Sequence, residues 1–402
     1  MINNTVFPPS LQTDKNANWV AALSCAHLQN KTFCQCREPA SPLSIKRYGG
    51  RDNRNQYGLA RWPGTGLNHH VDCHFFSEDE GNGSAGGTKP PFDELESGLV
   101  RVHLALSMSS SQESVLVKPS TNDAPNRPGT TRRTASQILL LNRLWREARL
   151  NVHDRREKNW FKACYALQKQ AEKYIINKSG DTLLENMLFA GVAGDKMSAA
   201  HNEAVIASIQ KKPRRLFIVG RMREFKQDKK TILFPFKDWT LVPKILVDCN
   251  QIGEFLNGRE FFRNILNGNQ PGNILTLACI ELTAPKSVWW KTVSLTGIAT
   301  TTGMIPVESS FEIEFCQHLI GQGRTFLKPM SLDEDSDGTQ RPDFLLLDTA
   351  RRIPCEVWGM QTADYLKDKA ARIERYHQKG ELLVSWSANP REPFPILPPL
   401  AA

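Results

Sequence analysis

The chain lacks several features that would settle its class at once. No run of about 18 apolar residues occurs, so no membrane-spanning helix is expected. The opening MINNTVFPPSLQTDKNANWV has no basic stretch leading into an apolar one, so no secretory signal is expected. There is no glycine loop of phosphate-binding type and no visible repeat period, which leaves a P-loop nucleotidase or a solenoid without support. Cysteine is sparse and odd in number, nine in 402 residues. Cys25, Cys34, Cys36 and Cys73 lie early and the rest are scattered singly. Such a count, without a signal, argues for reduced thiols and a cytoplasmic location rather than a disulfide framework.

What is present is a basic, globular composition. Lys and Arg number 51 against 42 Asp and Glu, a net charge of +9, with 40% hydrophobic residues. The length suggests two or three domains with real cores. The charge favours anionic partners, nucleic acid ahead of a membrane surface.

Composition divides the chain. Residues 1–32 read as poorly structured apart from a short helix around WVAALSCAHL. Residues 33–76 form a turn-rich module in which SIKRY and QYGLARW suit a hairpin around GGRDN. Residues 77–98 hold a Gly/Ser/Pro linker. Residues 99–205 read as a hairpin (LVRVHLALS with SVLVK) followed by helices. The first is capped from Thr134 with Gln137 three residues on. The second carries Trp160, Cys164, Leu167, Ala171 and Tyr174 on one face, and the third spans Thr182 to Ala190. Three helices beside a hairpin suggest a winged-helix-like DNA reader. Residues 206–300 are β-rich: RLFIVGRM, KTILFPF, KILVDC, ILTLACIEL and KTVSLTGIATT. Residues 301–390 read as helix, strands, helix and strand, and 391–402 as a tail.

Three groups of residues carry chemistry. In the N-terminal module, Cys34, Cys36, His70 and Cys73 are a preferred donor set for structural zinc, with His69 and His74 as alternatives for the imidazole. A small module with few large apolar groups would gain from a metal. Between Lys211 and Lys230 stand nine basic and two acidic residues. Lys211, Lys212, Arg214, Arg215, Arg221 and Arg223, interleaved with Leu216, Phe217 and Phe225, suit a phosphate-tracking surface; a solvated, lysine-bearing edge is the plain alternative.

The third group is acidic. Ser309 or Ser310 can cap a helix on which Glu312 lies beside the apolar stripe Phe311, Phe315, Leu319. Asp343 opens the strand FLLLD, and in RIPCEVW Glu356 shares a face with Trp358. On the helix from about Ala363 to Lys379, Tyr365, Lys369, Arg372 and Tyr376 share an inward face. The plain reading makes Asp343 a turn acid and Glu356 a partner of Arg372.

Helix–strand–strand–helix–strand with Glu312, Asp343 and Glu356 resembles the PD-(D/E)XK nuclease superfamily. That resemblance implies a restriction-endonuclease-like α/β domain in which Asp343 and Glu356 hold magnesium or manganese and Glu312 supports them. Hard oxygen ligands and such a cation suit phosphodiester hydrolysis. The superfamily's lysine, two residues after the second strand acid, is replaced here by Trp358. Related sites sometimes carry it on the following helix, which points to Lys369. Further marks, FCQC, RWPGTG…HH..C, LNRLWREARLN, MIPVESSFE, GRTFLKP, RPDFLLLD and CEVWGM, resemble the uncharacterised bacterial family catalogued as domain of unknown function 1173. Its members are often carried by plasmids and integrative conjugative elements, and three N-terminal cysteines recur in it, matching Cys34, Cys36 and Cys73. Arg221 departs from the acid expected there after the glycine.

The expected architecture is a multidomain α+β and α/β chain: a zinc-knuckle-like module, a helical and β-rich centre, and a nuclease-like C-terminal domain. The expected function is a magnesium-dependent nuclease of DNA more than RNA, or a nuclease-derived accessory protein. A non-catalytic nucleic-acid-binding or scaffold protein is the alternative.

Overall fold

A computed structural model of the chain describes residues 1–3, 5–8, 16–27, 32–49, 55–61, 65, 68–69, 73, 75, 91–95, 98–109, 134–177, 179–226, 229–238, 242–284, 286–330 and 341–401. They mix eight α-helices with several sheets. The chain forms two compact units, one of Met1–Val102 with Arg127–Arg133, the other of His103–Asn126 with Thr134–Ala402.

In the first unit, α1 (Ala17–Ala26) begins where the Asn16 side chain accepts from Trp19 N at 3.1 Å. The hairpin expected around GGRDN is present: β2 (Ser41–Gly49) pairs antiparallel with β3 (Asn55–Arg61), and β1 (Thr32–Cys34) adds to β2. Ile2, Trp19, Leu23 and Ala26 form a small core against this sheet. A second hairpin joins β4 (Phe92–Glu94) to β5 (Val100–Val102). The strand at 99–107 thus pairs with the segment before it; its expected partner, 114–118, lies outside the described residues.

The second unit starts with α2 (Gln137–Glu147). Its cap is Ser136, whose Oγ accepts from Leu139 N, and not Thr134 as the capping-box pattern suggested. The two-residue strand β6 (Val152–His153) leads to α3 (Trp160–Ala171), capped by Asn159, and to β7 (Tyr174–Ile175). Residues 182–190 are not a third helix. After one short turn the chain extends as β8 (Met187–Phe189), buried on both faces, so the winged-helix-like arrangement loses its third helix. A continuous apolar run fits a buried strand paired in parallel, a state that periodicity alone does not separate from helix.

Then come α4 (Lys196–Lys211), β9 (Leu216–Met222), β10 (Thr231–Leu233), β11 (Lys244–Asp248), α5 (Cys249–Leu256), α6 (Glu260–Leu266), β12 (Asn273–Leu282), β13 (Trp289–Thr300) and β14 (Pro306–Val307). These strands form a sheet in the order β10-β11-β13-β12-β9-β8, with β14 on β13. β9 and β12 are covered on both sides, as their unbroken apolar runs require.

The remaining elements are α7 (Ser310–Gly321), β15 (Phe326–Leu327), β16 (Phe344–Leu346), β17 (Ile353–Trp358), α8 (Ala363–Gln378) and β18 (Val384–Ser387). β15, β16 and β17 are antiparallel neighbours, and α8 crosses over to place β18 parallel to β17. Phe315, Phe326, Phe344, Leu346, Cys355 and Trp386 fill the core. The sheet's outer strand on the other side is β6, from the helical stretch far earlier in the chain. Asn151 extends that pairing: Lys328 N donates to Asn151 O at 2.8 Å and Asn151 Nδ2 to Lys328 O at 2.9 Å. Residues 301–390 therefore do not carry the whole of their own sheet.

Gly220 of β9 is a point of close approach. A Cβ there would stand 2.6 Å from both Ala190 Cβ and the Phe236 ring. Gly220→Ala should cost about 1–3 kcal/mol by overpacking. Urea denaturation will check this, the midpoint falling with an unchanged slope.

Candidate functional site

Two side-chain clusters stand out, one in each unit. In the first, Cys34 and Cys36 leave the end of β1, and the chain returns past the hairpin to His69 and Cys73. Cys34 Sγ lies 3.5 Å from Cys73 Sγ, Cys36 Sγ 3.5 Å from His69 Nδ1, and Cys73 Sγ 3.7 Å from the same nitrogen. All four donor atoms fall within 4.8 Å of one another. Ligands about 2.0–2.3 Å from a shared tetrahedral centre would stand about 3.5–3.8 Å apart, so the set could hold zinc. Burial raises the Cys34 thiol, and burial with the neighbouring thiols raises Cys73 to about 12. Thiols held so high are protonated on their own; a divalent cation at their centre would reverse that. The imidazole is His69, which is fully buried. His70 and His74 lie outside the described residues.

The second cluster lies at one end of the C-terminal sheet. Ser309 caps α7 by accepting from Glu312 N at 3.1 Å, which fixes Glu312 in the first turn. The Glu312 carboxylate turns back and accepts from Glu308 N at 3.1 Å. β15 runs on into Lys328, whose buried ammonium donates to Glu312 Oε2 at 2.7 Å and lies 3.7 Å from Asp343 Oδ1. Asp343 stands just before β16, and its Oδ2 accepts from Val357 N of β17 at 2.8 Å. The β16–β17 register, Phe344 opposite Cys355, places Asp343 across from Glu356.

Glu356 is fully buried. Its Oε1 accepts from Tyr376 OH at 2.7 Å and forms an ion pair with Arg372 Nε at 2.9 Å, both from α8. Its Oε2 is buried with no hydrogen-bond partner among the described residues. Burial, then the charge of Asp343, raises Glu356 to about 7 against the pull of Arg372. Burial also lifts Glu312 above the usual carboxylate range, with Lys328 opposing and Asp343 and Glu308 adding to it. Burial alone would lower Lys328, but Glu312, Glu308 and Asp343 outweigh it and hold the ammonium charged.

The inward face expected for α8 is the face that meets the sheet, but Lys369 does not join the carboxylates. Its Nζ donates to Ser387 Oγ at 2.9 Å and lies 5.3 Å from the centroid of the Trp358 ring. The lysine among the acids is Lys328, which lies inside GRTFLKP and was not among the expected site residues. A signal existed: Lys328 follows buried Phe326 by two, so strand alternation puts it on the same inward side.

The basic run is largely engaged within the protein. Arg221 forms a two-bond pair with Asp238, its Nε at 2.7 Å, and Arg215 Nε lies 2.9 Å from Glu281. Arg214 donates to Glu185 O and Ser208 Oγ, both at 3.0 Å. Lys211, Lys212 and Arg223 are exposed. Among the described residues, no helix is long and apolar enough to cross a membrane.

A family model described as a protein of unknown function (DUF1173) matches residues 10–388. No curated protein and no solved structure matches the chain.

Elemental analysis of the purified protein should find one zinc per chain. Cys34→Ser and His69→Ala should lose it while His70→Ala keeps it; zinc that follows His70 instead would displace His69 from the set. The acidic cluster gives a pH signature. A carboxyl raised in the folded state contributes stability below its unfolded value, near 4.5, and loses it as pH rises through about 7. Thermal melts of Glu356→Gln against wild type should therefore shift in favour of the variant between pH 5 and pH 8.

Proposed function

The chain therefore belongs to that family, and for it we propose a divalent-cation-dependent phosphodiesterase, acting on DNA in preference to RNA, worked by Glu312, Lys328, Asp343 and Glu356. The observation that carries this reading is the Glu356 oxygen. A fully buried carboxylate holds one oxygen in two contacts and leaves the other, Oε2, without a partner, across the strand pair from Asp343. Buried polar atoms are normally satisfied, and an oxygen left over beside a second carboxylate suits a hard cation. The order helix, three antiparallel strands, helix, parallel strand, with acids on the first helix, just before β16 and on β17, supports the PD-(D/E)XK resemblance.

Asp343 and Glu356 would hold magnesium or manganese, which when bound polarises a phosphodiester and lowers the pKa of water. Lys328 brings a buried positive charge to Asp343 and balances charge that develops on a phosphate there. Glu312 fixes that ammonium in place. Tyr376 and Arg372 hold Oε1 of Glu356 and so settle which oxygen remains available. Lys328 thus takes the duty of the lysine that Trp358 replaces. In the setting the family resemblance suggests, a plasmid or integrative conjugative element, the substrate would be that element's DNA.

A second reading is favoured by the same contacts. Each buried acid already has a cation, Glu312 with Lys328 and Glu356 with Arg372, as in a fold retained for binding alone. One assay separates the two. Plasmid DNA, single-stranded DNA and RNA are incubated with the protein, with Mg²⁺ or Mn²⁺ and without either. The enzyme should cleave DNA only with the cation. Asp343→Asn, Glu356→Gln and Lys328→Met should each lower the rate by about 100-fold or more, whereas Lys369→Met stays within a few-fold. Nucleic-acid binding without cleavage in wild type, unaltered in Asp343→Asn, would establish the binding protein instead.

A further inference from the structure

The β10–β11–β13 corner of the seven-stranded sheet has no part in either cluster. Ile245 and Val247 of β11 and Trp290 of β13 point into the core. Strand alternation therefore turns Lys244, Leu246, Trp289 and Lys291 to the opposite face. Register sets them in two rows, Leu233–Leu246–Lys291 and Lys244–Trp289. On this face Leu233 is 47% exposed and Trp289 39%. The Lys244 ammonium lies 5.1 Å from the centroid of the Trp289 ring.

Every other described tryptophan is buried: Trp19, Trp145, Trp160, Trp290, Trp358 and Trp386. An indole left partly in water, on a face where Leu233 is also exposed, needs a reason. The charge of the corner supplies the chemistry. Glu281 is shared between Arg215 at 2.9 Å and Lys291 at 3.1 Å, so one acid meets two cations there. Lys244 has no acidic partner among the described residues, and its side chain lies along the ring. The corner is net positive: Lys244 of β11 stands across from Trp289, and Lys291 follows Trp289 by two residues on the same face of β13.

We propose that this corner is a stacking platform for single-stranded nucleic acid, with a base on Trp289 and the flanking phosphates at Lys244 and Lys291. A partly exposed aromatic with lysines beside it matches a strand whose bases are free to stack and whose backbone is anionic. A duplex hides its base faces, so it would gain only the charge contacts.

The test is fluorescence anisotropy with a labelled oligothymidylate of about 20 nucleotides and a duplex of equal length, across a salt series. No divalent cation is added, so the result does not depend on cleavage or on the carboxylate site. Wild type should bind the single strand more tightly than the duplex. Trp289→Ala should weaken single-strand binding by about 5- to 100-fold, in line with the loss of one stacked base. Trp289→Phe should restore most of it, and Lys244→Glu should weaken it and flatten the salt dependence. Thermal melting of each variant, whose changed side chain is on the surface, verifies the fold. Equal affinity in wild type, Trp289→Ala and Lys244→Glu, or a preference for duplex, would overturn the proposal and leave the corner to a protein partner.

Discussion

The acidic end of the C-terminal sheet depends on one contact, the 2.7 Å pair between Lys328 and Glu312. Both groups are withdrawn from water, a heavy desolvation cost that good geometry and added hydrogen bonds must offset. They do so here through Glu308 N on the carboxylate and Asp343 on the far side of the ammonium. Removing either partner would strand a charge among Phe344 and its neighbours, so each makes the other necessary. Because Asp343 also ties back to Val357 N, the pair fixes the strand ends as well as the charges.

Glu356 solves the same problem differently. Its cation and its hydroxyl donor both come from α8, a helix whose only buried residue is Tyr376 and which adds none of its residues to the apolar core of this sheet. α8 is held to the sheet chiefly by polar contacts: Tyr365 with Gly359, Lys369 with Ser387, and Arg372 and Tyr376 with Glu356. The charge and hydrogen bonding of one buried carboxylate are thereby coupled to the docking of a whole helix.

Much of this was legible in the sequence, and where it failed the reasons are physical. The acids Glu312, Asp343 and Glu356 and the inward face of α8 follow from helix and strand periodicity, which are local properties. Lys328 was hidden because a lysine at a strand end is ordinarily solvated; only the distant Glu312 makes its burial tolerable. The zinc donor set was readable as a composition, but adjacent histidines cannot be told apart without knowing how the chain turns back, and the turn selects His69. Met187–Phe189 deceived for the opposite reason, since a short apolar run fits helix or buried strand until its neighbours are known. The pairing of β6 with β15 joins residues over 170 apart in sequence, and two-residue strands leave no periodic trace.

That pairing has a consequence for how this protein could have arisen or be divided. A segment moves between proteins as a unit only if its sheet edges are its own. Here the backbone of Lys328 is seated on Asn151, so the strand that delivers the site's cation is laid down against a template from the helical stretch. The two segments are therefore parts of one structure, and residues 301–390 cut out alone would leave β15 as an open sheet edge.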